Sequence, residues 1–231
     1  MNVCIHQPQY LPWLPYFLKI QKSDLFIILD SVDFQKNGLQ NRNQIKANQG
    51  AHWLTVPVRQ QLGQKILDVR IDNGTVWRRK HWQAIQNNYG KTPEFRHYKS
   101  DLESIYMREW AGICDLNIEM ISMIMRWMKI ETPILRSSQM TATGVASDLV
   151  LNLCLEVGAT HYLSGSGGES YLKPESFKNA NVEIVYQKMV LPKAYPQHFT
   201  NAGFVNNLSV IDILFNCGEN WSNYLPIESA K

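Results

Sequence analysis

Leu25-Phe26-Ile27-Ile28-Leu29 is an unbroken apolar run of five residues. It is too short for a buried helix and lacks the alternation of a half-exposed strand, so it reads as a strand covered on both faces. A parallel sheet supplies that cover, because the crossovers joining its strands lay helices over both sides. Upstream, Asn2 to Ile5 forms another apolar strand and runs into His6-Gln7-Pro8-Gln9-Tyr10-Leu11-Pro12-Trp13, where Pro8, Pro12 and Pro15 forbid a long regular helix. Tyr16 to Ser23 suits a short helix. Strand, shaped loop, helix and strand make a parallel α/β unit.

The same pattern returns late in the chain. Glu131 to Arg136 reads as a strand, Ala146 to Val157 as a helix ended by Gly158, Thr160 to Leu163 as a strand emptying into Ser164-Gly165-Ser166-Gly167-Gly168, and Val182 to Tyr186 as a further strand after a helical turn at Pro174 to Lys178. Between the two runs, Trp77, His81, Trp82, Ile85 and Tyr89 recur at helical spacing, and Leu102 to Tyr106 and Asn117 to Ile130 mark two more helices. Trp53 to Val58 and Leu67 to Ile71 suit strands, and Leu208 to Asn216 a closing helix. At 231 residues the chain has room for one sizeable core. The expectation is a single α/β domain over residues 1–231, Rossmann-like and three-layered, with a mostly parallel sheet and a helical block over residues 75–130 inserted as a lid or side layer.

Composition narrows the partners. Lys and Arg number 23 against 20 Asp and Glu, a net charge of +3, far from the basic balance of a nucleic-acid binder. A small anionic molecule is the partner expected instead, and oligomerisation is left open. No apolar run reaches the ~18 residues of a membrane span and the N-terminus has no secretory pattern, so a cytoplasmic protein is expected. Cys4, Cys114, Cys154 and Cys217 are scattered among apolar neighbours, which suits reduced, buried thiols, and the histidines lack metal-ligand spacing. Neither G-x-G-x-x-G nor a P-loop occurs, so a dinucleotide or ATP fingerprint is not present and the cofactor is unknown from sequence.

His6 stands where a buried strand ends in a rigid loop, the place where open α/β sheets hold ligands, and a neutral imidazole there can act as a general base. The alternative is a histidine that merely ties down the loop. Tyr10 and Tyr16 are candidates to line the same cleft or to pack beside the prolines. Asp30 to Lys46 follows the buried strand as a polar segment, read as a loop at the sheet's carboxyl edge beside His6. There Lys36, Arg42 and Lys46, with Gln35, Asn41 and Asn43, offer the charge and directional donors that phosphate and sugar recognition needs; an ordinary solvated loop is the alternative. Asp30 and Asp33 are candidate base partners, metal ligands or caps. In Ser164 to Gly168 the glycines can let backbone N–H groups approach an anion, or form a plain turn.

The stretches IHQPQYLPWLPYFLKI, DLFIILDSVDFQKNGLQNRNQIK, WLTVPV, THYLSGSGGESYL and NNLSVIDILFNCG resemble, in order and over nearly the whole chain, the WbqC-like family of bacterial proteins. Members commonly occur among genes for O-antigen and other surface-polysaccharide synthesis, which implies a nucleotide-linked sugar as substrate. The matching motif residues here are His6, Pro8, Tyr10, Pro12, Asp30, Phe34, Lys36, Asn41, Arg42, Lys46, Gly165, Gly168, Tyr171 and Asp212. A weaker likeness is to nucleotidylyltransferases of the HIGH-motif type, whose second histidine is missing where Gln7-Pro8-Gln9 follows His6. The expectation is a transferase acting on a nucleotide-activated amino sugar by N-acyl or aminoacyl transfer, ligand lying between the His6 loop and the Ser164–Gly168 loop. Nucleotidylyl transfer with Mg²⁺ on Asp30 or Asp33, and a non-catalytic sugar-nucleotide binding partner, are the alternatives.

Overall fold

A computed structural model describes residues 1–226. The elements run in chain order as β1 (Asn2–His6), α1 (Leu14–Gln21), β2 (Leu25–Ile28), β3 (Arg42–Ala47), β4 (Gly50–Thr55), β5 (Val58–Arg59), β6 (Arg70–Ile71), α2 (Trp77–Tyr89), α3 (Phe95–Met107), α4 (Ile113–Trp127), β7 (Ile134–Arg136), α5 (Ser147–Glu156), β8 (His161–Ser164), α6 (Pro174–Asn179), β9 (Glu183–Tyr186) and α7 (Ile211–Cys217). They gather into two compact units.

The first unit takes residues 1–8, 15–32 and 130–189 and holds a five-stranded sheet in the order β7-β2-β1-β8-β9. Every neighbouring pair is parallel. The burial of β2 follows its apolar run: all four residues are buried, and a fully buried Phe or Ile contributes about 1.5–3 kcal/mol. Successive side chains divide between the faces. Val3, Ile5, Leu25 and Ile27 join Leu149, Leu153 and Cys154 of α5 and Phe177 of α6 in one cluster. On the other face Phe26 meets the Tyr16 ring of α1 at 5.7 Å. Helices therefore cover both sides. Counting only this sheet's own strands, the order is 3-2-1-4-5, which reverses between β1 and β8, and such a reversal opens a crevice at the strands' carboxyl ends.

The second unit takes residues 9–14, 33–129 and 190 onward. Its helices α2, α3 and α4 fulfil the expected helical stretch, and they share a body with the antiparallel hairpin β3–β4 and with α7. Trp77, His81, Trp82, Ile85 and Tyr89 form the buried stripe of α2. The hairpin corrects one expectation: Arg42 to Lys46 is a strand of this unit and not a loop at the parallel sheet's edge. Its polar letters misled because Asn43 and Lys46 are buried and bonded within the unit, where Asn43 Nδ2 donates to the Leu11 carbonyl at 2.7 Å.

Two polar networks tie this unit together. In the first, Tyr10 Oη stands 2.8 Å from His81 Nδ1 and 2.6 Å from Tyr106 Oη. With the other ring nitrogen of His81 donating to the Thr55 carbonyl, Nδ1 accepts from Tyr10 and the imidazole is neutral. Burial drives its pKa down from 6.5 to about 4, against the opposing Thr55 bond. The folded pKa lies below the unfolded one, so the unfolded chain takes up a proton first as pH falls. Stability from this site is full above about pH 6.5 and is lost on acidification towards pH 4, at ~1.4 kcal/mol per pH unit and about 3 kcal/mol in all. Urea midpoints measured between pH 7 and 4.5 should fall more steeply for the native chain than for His81→Gln; equal slopes would remove His81 as the cause.

Candidate functional site

β1 and β8 lie side by side, with Cys4 opposite Leu163, so their ends bring His6 and Ser164–Gly168 to the reversal of the sheet. Around His6 the geometry is specific. Nδ1 lies 3.1 Å from the Gln7 carbonyl, which also accepts the Tyr16 hydroxyl at 3.2 Å. A carbonyl only accepts, so Nδ1 carries the proton and Nε2 keeps its lone pair. The Tyr16 ring meets the imidazole edge-on at 4.8 Å. Burial first, and the Lys19 charge second, push the His6 pKa down to about 3, against the Gln7 carbonyl. The ring is neutral throughout the physiological range.

Lys19 is a residue that sequence reasoning passed over. It is buried on α1, donates from Nζ to the Ile5 carbonyl at 3.3 Å, and burial lowers its pKa to about 8. A lysine on the same apolar helix as Tyr16 and Ile20 was the signal available.

The turn after β8 is a short 3₁₀ segment, Ser166–Ser170. Gly165 and Gly167 face open space, whereas a Cβ on Gly168 would stand 2.1 Å from Ser164 Oγ and 2.9 Å from Leu172. Packing inside the turn therefore demands Gly168, and the two flanking glycines are the ones a ligand can approach. Tyr171 beyond the turn is exposed and shares a hydrogen bond with buried Tyr162.

Asp30 lies at the end of β2 with its carboxylate buried. Arg136 Nε donates to Oδ2 at 2.7 Å, as does Ser138 Oγ at 2.8 Å, while Oδ1 accepts from Ser137 Oγ at 3.0 Å and from the Ser138 N–H at 2.9 Å. Those four donors make it a clasp between the ends of β2 and β7. Arg136 is a second residue missed from sequence, hidden by its place at a strand end. A groove of about 560 Å³ opens elsewhere in this unit, lined by His161, Pro174, Lys178, Ile184 and Tyr186 among others, and it contains none of the expected site residues.

The remaining candidates belong to the second unit. Tyr10 is fully buried in the His81 network. Asp33 pairs with Lys65 at 2.7 Å on the surface, the Gln35 backbone N–H donates to Gln40 Oε1 at 2.7 Å, and Lys36 is exposed. Arg42 donates from Nη2 to the Asn37 carbonyl at 2.5 Å and lies over the Trp53 ring at 4.6 Å. Asn41 donates to the Val56 carbonyl at 2.9 Å. Lys46 is turned inward, donating to Gln197 Oε1 at 2.9 Å and to the Gly203 carbonyl.

The WbqC-like protein family model matches residues 7–224. The uncharacterized protein Rv1507c of Mycobacterium tuberculosis is 33% identical over 227 residues, covering 97% of each chain. No solved structure matches. Among the described residues no helix is long and apolar enough to cross a membrane. With the family's pattern running from the His6 loop to the segment beyond α7, this chain belongs to the WbqC-like protein family.

Proposed function

We propose that this protein is a cytosolic transferase that modifies a nucleotide-activated amino sugar in bacterial surface-polysaccharide synthesis, by N-acyl or aminoacyl transfer, on a Rossmann-like scaffold. The observation that carries the reading is His6 at the reversal of the sheet, its tautomer set by the Gln7 carbonyl so that Nε2 can accept a proton. In the reaction the sugar amine attacks the donor's acyl carbon, a C–N bond forms as the bond to the donor's leaving group breaks, and the amine's proton passes to His6 Nε2. Backbone N–H groups of the Gly165–Gly167 turn stabilise the developing oxyanion. The reading's link to polysaccharide synthesis rests on the family resemblance.

The test is a panel of UDP-, dTDP- and GDP-linked amino sugars, each with acetyl-CoA, read by melting temperature and by product mass. The expected sugar nucleotide at 100 times its Kd adds about 2.7 kcal/mol of stability, and its product gains one acyl group. Stabilisation without any mass change would replace the transferase with a sugar-nucleotide binder.

A further inference from the structure

The parallel sheet of the first unit ends at β7 on one side and at β9 on the other. An open edge offers unpaired main-chain groups to any strand that fits it, and folded proteins guard such edges. At β7 the guard is present: the strand is short, Pro133 stands just before it, and Arg136 is tied to Asp30 at 2.7 Å. No proline interrupts β9. The Glu183 and Gln187 N–H groups donate to the Thr160 and Ser164 carbonyls at 2.9 and 2.8 Å, so these alternate residues face β8 while Ile184 and Tyr186 face outward. Among the described residues the main-chain groups of Ile184 and Tyr186 on that side have no partner.

The space beside the edge is open. Across the ladder Glu183 lies opposite His161 and Ile184 opposite Tyr162, so Glu183 points to one face of the sheet and Ile184 and Tyr186 to the other. All three nevertheless line the groove of about 560 Å³, together with Pro174 and Lys178 of α6. A groove that touches both faces of β9 follows its outer edge.

The residues of β9 select what fits there. The strand starts acidic at Glu183 and leads to exposed Lys188, so an antiparallel copy sets the acidic end against the basic end, whereas a parallel copy sets like against like. With a two-fold axis at Val185, Ile184 exchanges main-chain bonds with Tyr186 of the second copy, Val185 meets Val185, and Glu183 meets Gln187. Aromatic against β-branched is a favourable cross-strand pair, and Val185, 39% exposed, becomes covered. Moving the axis to Glu183 would oppose two carboxylates.

We propose that β9 is the interface of a homodimer, pairing antiparallel with β9 of a second copy about Val185, so that the two parallel sheets join into one. Such an interface is isologous, the same patch serving both copies.

Cross-linking and mass test it on the full-length chain. Directly opposed residues without mutual main-chain bonds have Cα atoms about 4.5 Å apart, within disulfide range. Val185→Cys should therefore give a covalent dimer under mild oxidation, and the native chain, whose cysteines are buried, should not. Glu183→Cys faces Gln187 and should stay uncrosslinked. Light scattering of the native chain at micromolar concentration should give twice the chain mass. Val185→Lys opposes two cations and should weaken the dimer roughly tenfold or more, with native circular dichroism retained. A monomeric native chain overturns the proposal and leaves the edge to a strand of another protein. A dimer that survives Val185→Lys, and that yields no cross-link through Val185→Cys, has its interface elsewhere and overturns it equally.

Discussion

Asp212→Ala should destabilise the protein by about 3–5 kcal/mol, the range for breaking a fully buried charge network from one side. Asp212 is 0% exposed. Its Oδ1 accepts the Tyr89 hydroxyl at 2.8 Å, and Oδ2 accepts the Tyr195 hydroxyl at 2.6 Å and Gln197 Nε2 at 2.9 Å. Tyr89 Oη in turn accepts the Lys46 N–H at 2.8 Å, while Lys46 Nζ reaches Gln197 Oε1. One carboxylate thus joins α7 to α2, β3 and the extended segment around residue 197. Burial pushes its carboxyl pKa up, and the two hydroxyls and Gln197 oppose that shift, with the Lys46 charge adding to them.

Removing the carboxylate takes the acceptor from the Tyr89 and Tyr195 hydroxyls and the compensating charge from Lys46, while Gln197 Nε2 keeps the Val205 carbonyl, and each buried group that loses its partner costs desolvation. Asp212→Asn keeps one oxygen but turns an N–H₂ towards groups that donate, so a loss smaller than that of Asp212→Ala is expected. Urea unfolding at pH 7 reads both. A loss below about 1 kcal/mol for Asp212→Ala would mean that water reaches the network and satisfies it.

The same network explains what sequence could and could not disclose. Lys46 looked like a ligand cation because it closes a polar run, yet its partners Gln197 and Gly203 lie more than 150 positions away. No local pattern announces such a pairing. Strand β3 was hidden for the same reason, since its inward residues Asn43 and Lys46 satisfy their polarity through distant groups and so break the apolar alternation that marks a strand. Where burial is achieved by apolar residues alone the sequence was readable: Leu25 to Leu29 led to the parallel sheet, and the Trp77–Tyr89 stripe to α2.

Two compact units were not legible as such, because each is assembled from separated stretches and no linker composition marks the crossings. The position of His6 and of the Ser164–Gly168 turn at neighbouring strand ends was legible, because each follows an apolar strand of the parallel sheet. The place of Asp30 just beyond β2 was legible too, but its clasp on Arg136, Ser137 and Ser138 depends on a segment more than 100 positions later. Lys19 and Arg136 escaped because a single charged residue in an apolar helix or at a strand end has no spacing to betray it.

His6→Asn carries the largest expected effect on function: turnover should fall roughly 10²–10⁴-fold, the range for losing a positioned acid–base group. The substitution isolates one atom. An asparagine Nδ2 can donate to the Gln7 carbonyl as His6 Nδ1 does now, so the loop's bond is retained while the lone pair at Nε2 disappears. Ligand affinity should therefore be nearly unchanged.

The depressed pKa of about 3 adds a second readout. A group neutral from pH 4 upward gives no acid limb near pH 6.5, so native turnover should show no inflection from His6 between pH 5 and 8. The same low value makes Nε2 a weak base in the resting protein. Melting temperature completes the measurement. A structural histidine would show a lowered melting temperature with activity falling only in proportion to folded protein, and native turnover in the Asn variant would take His6 out of the chemistry.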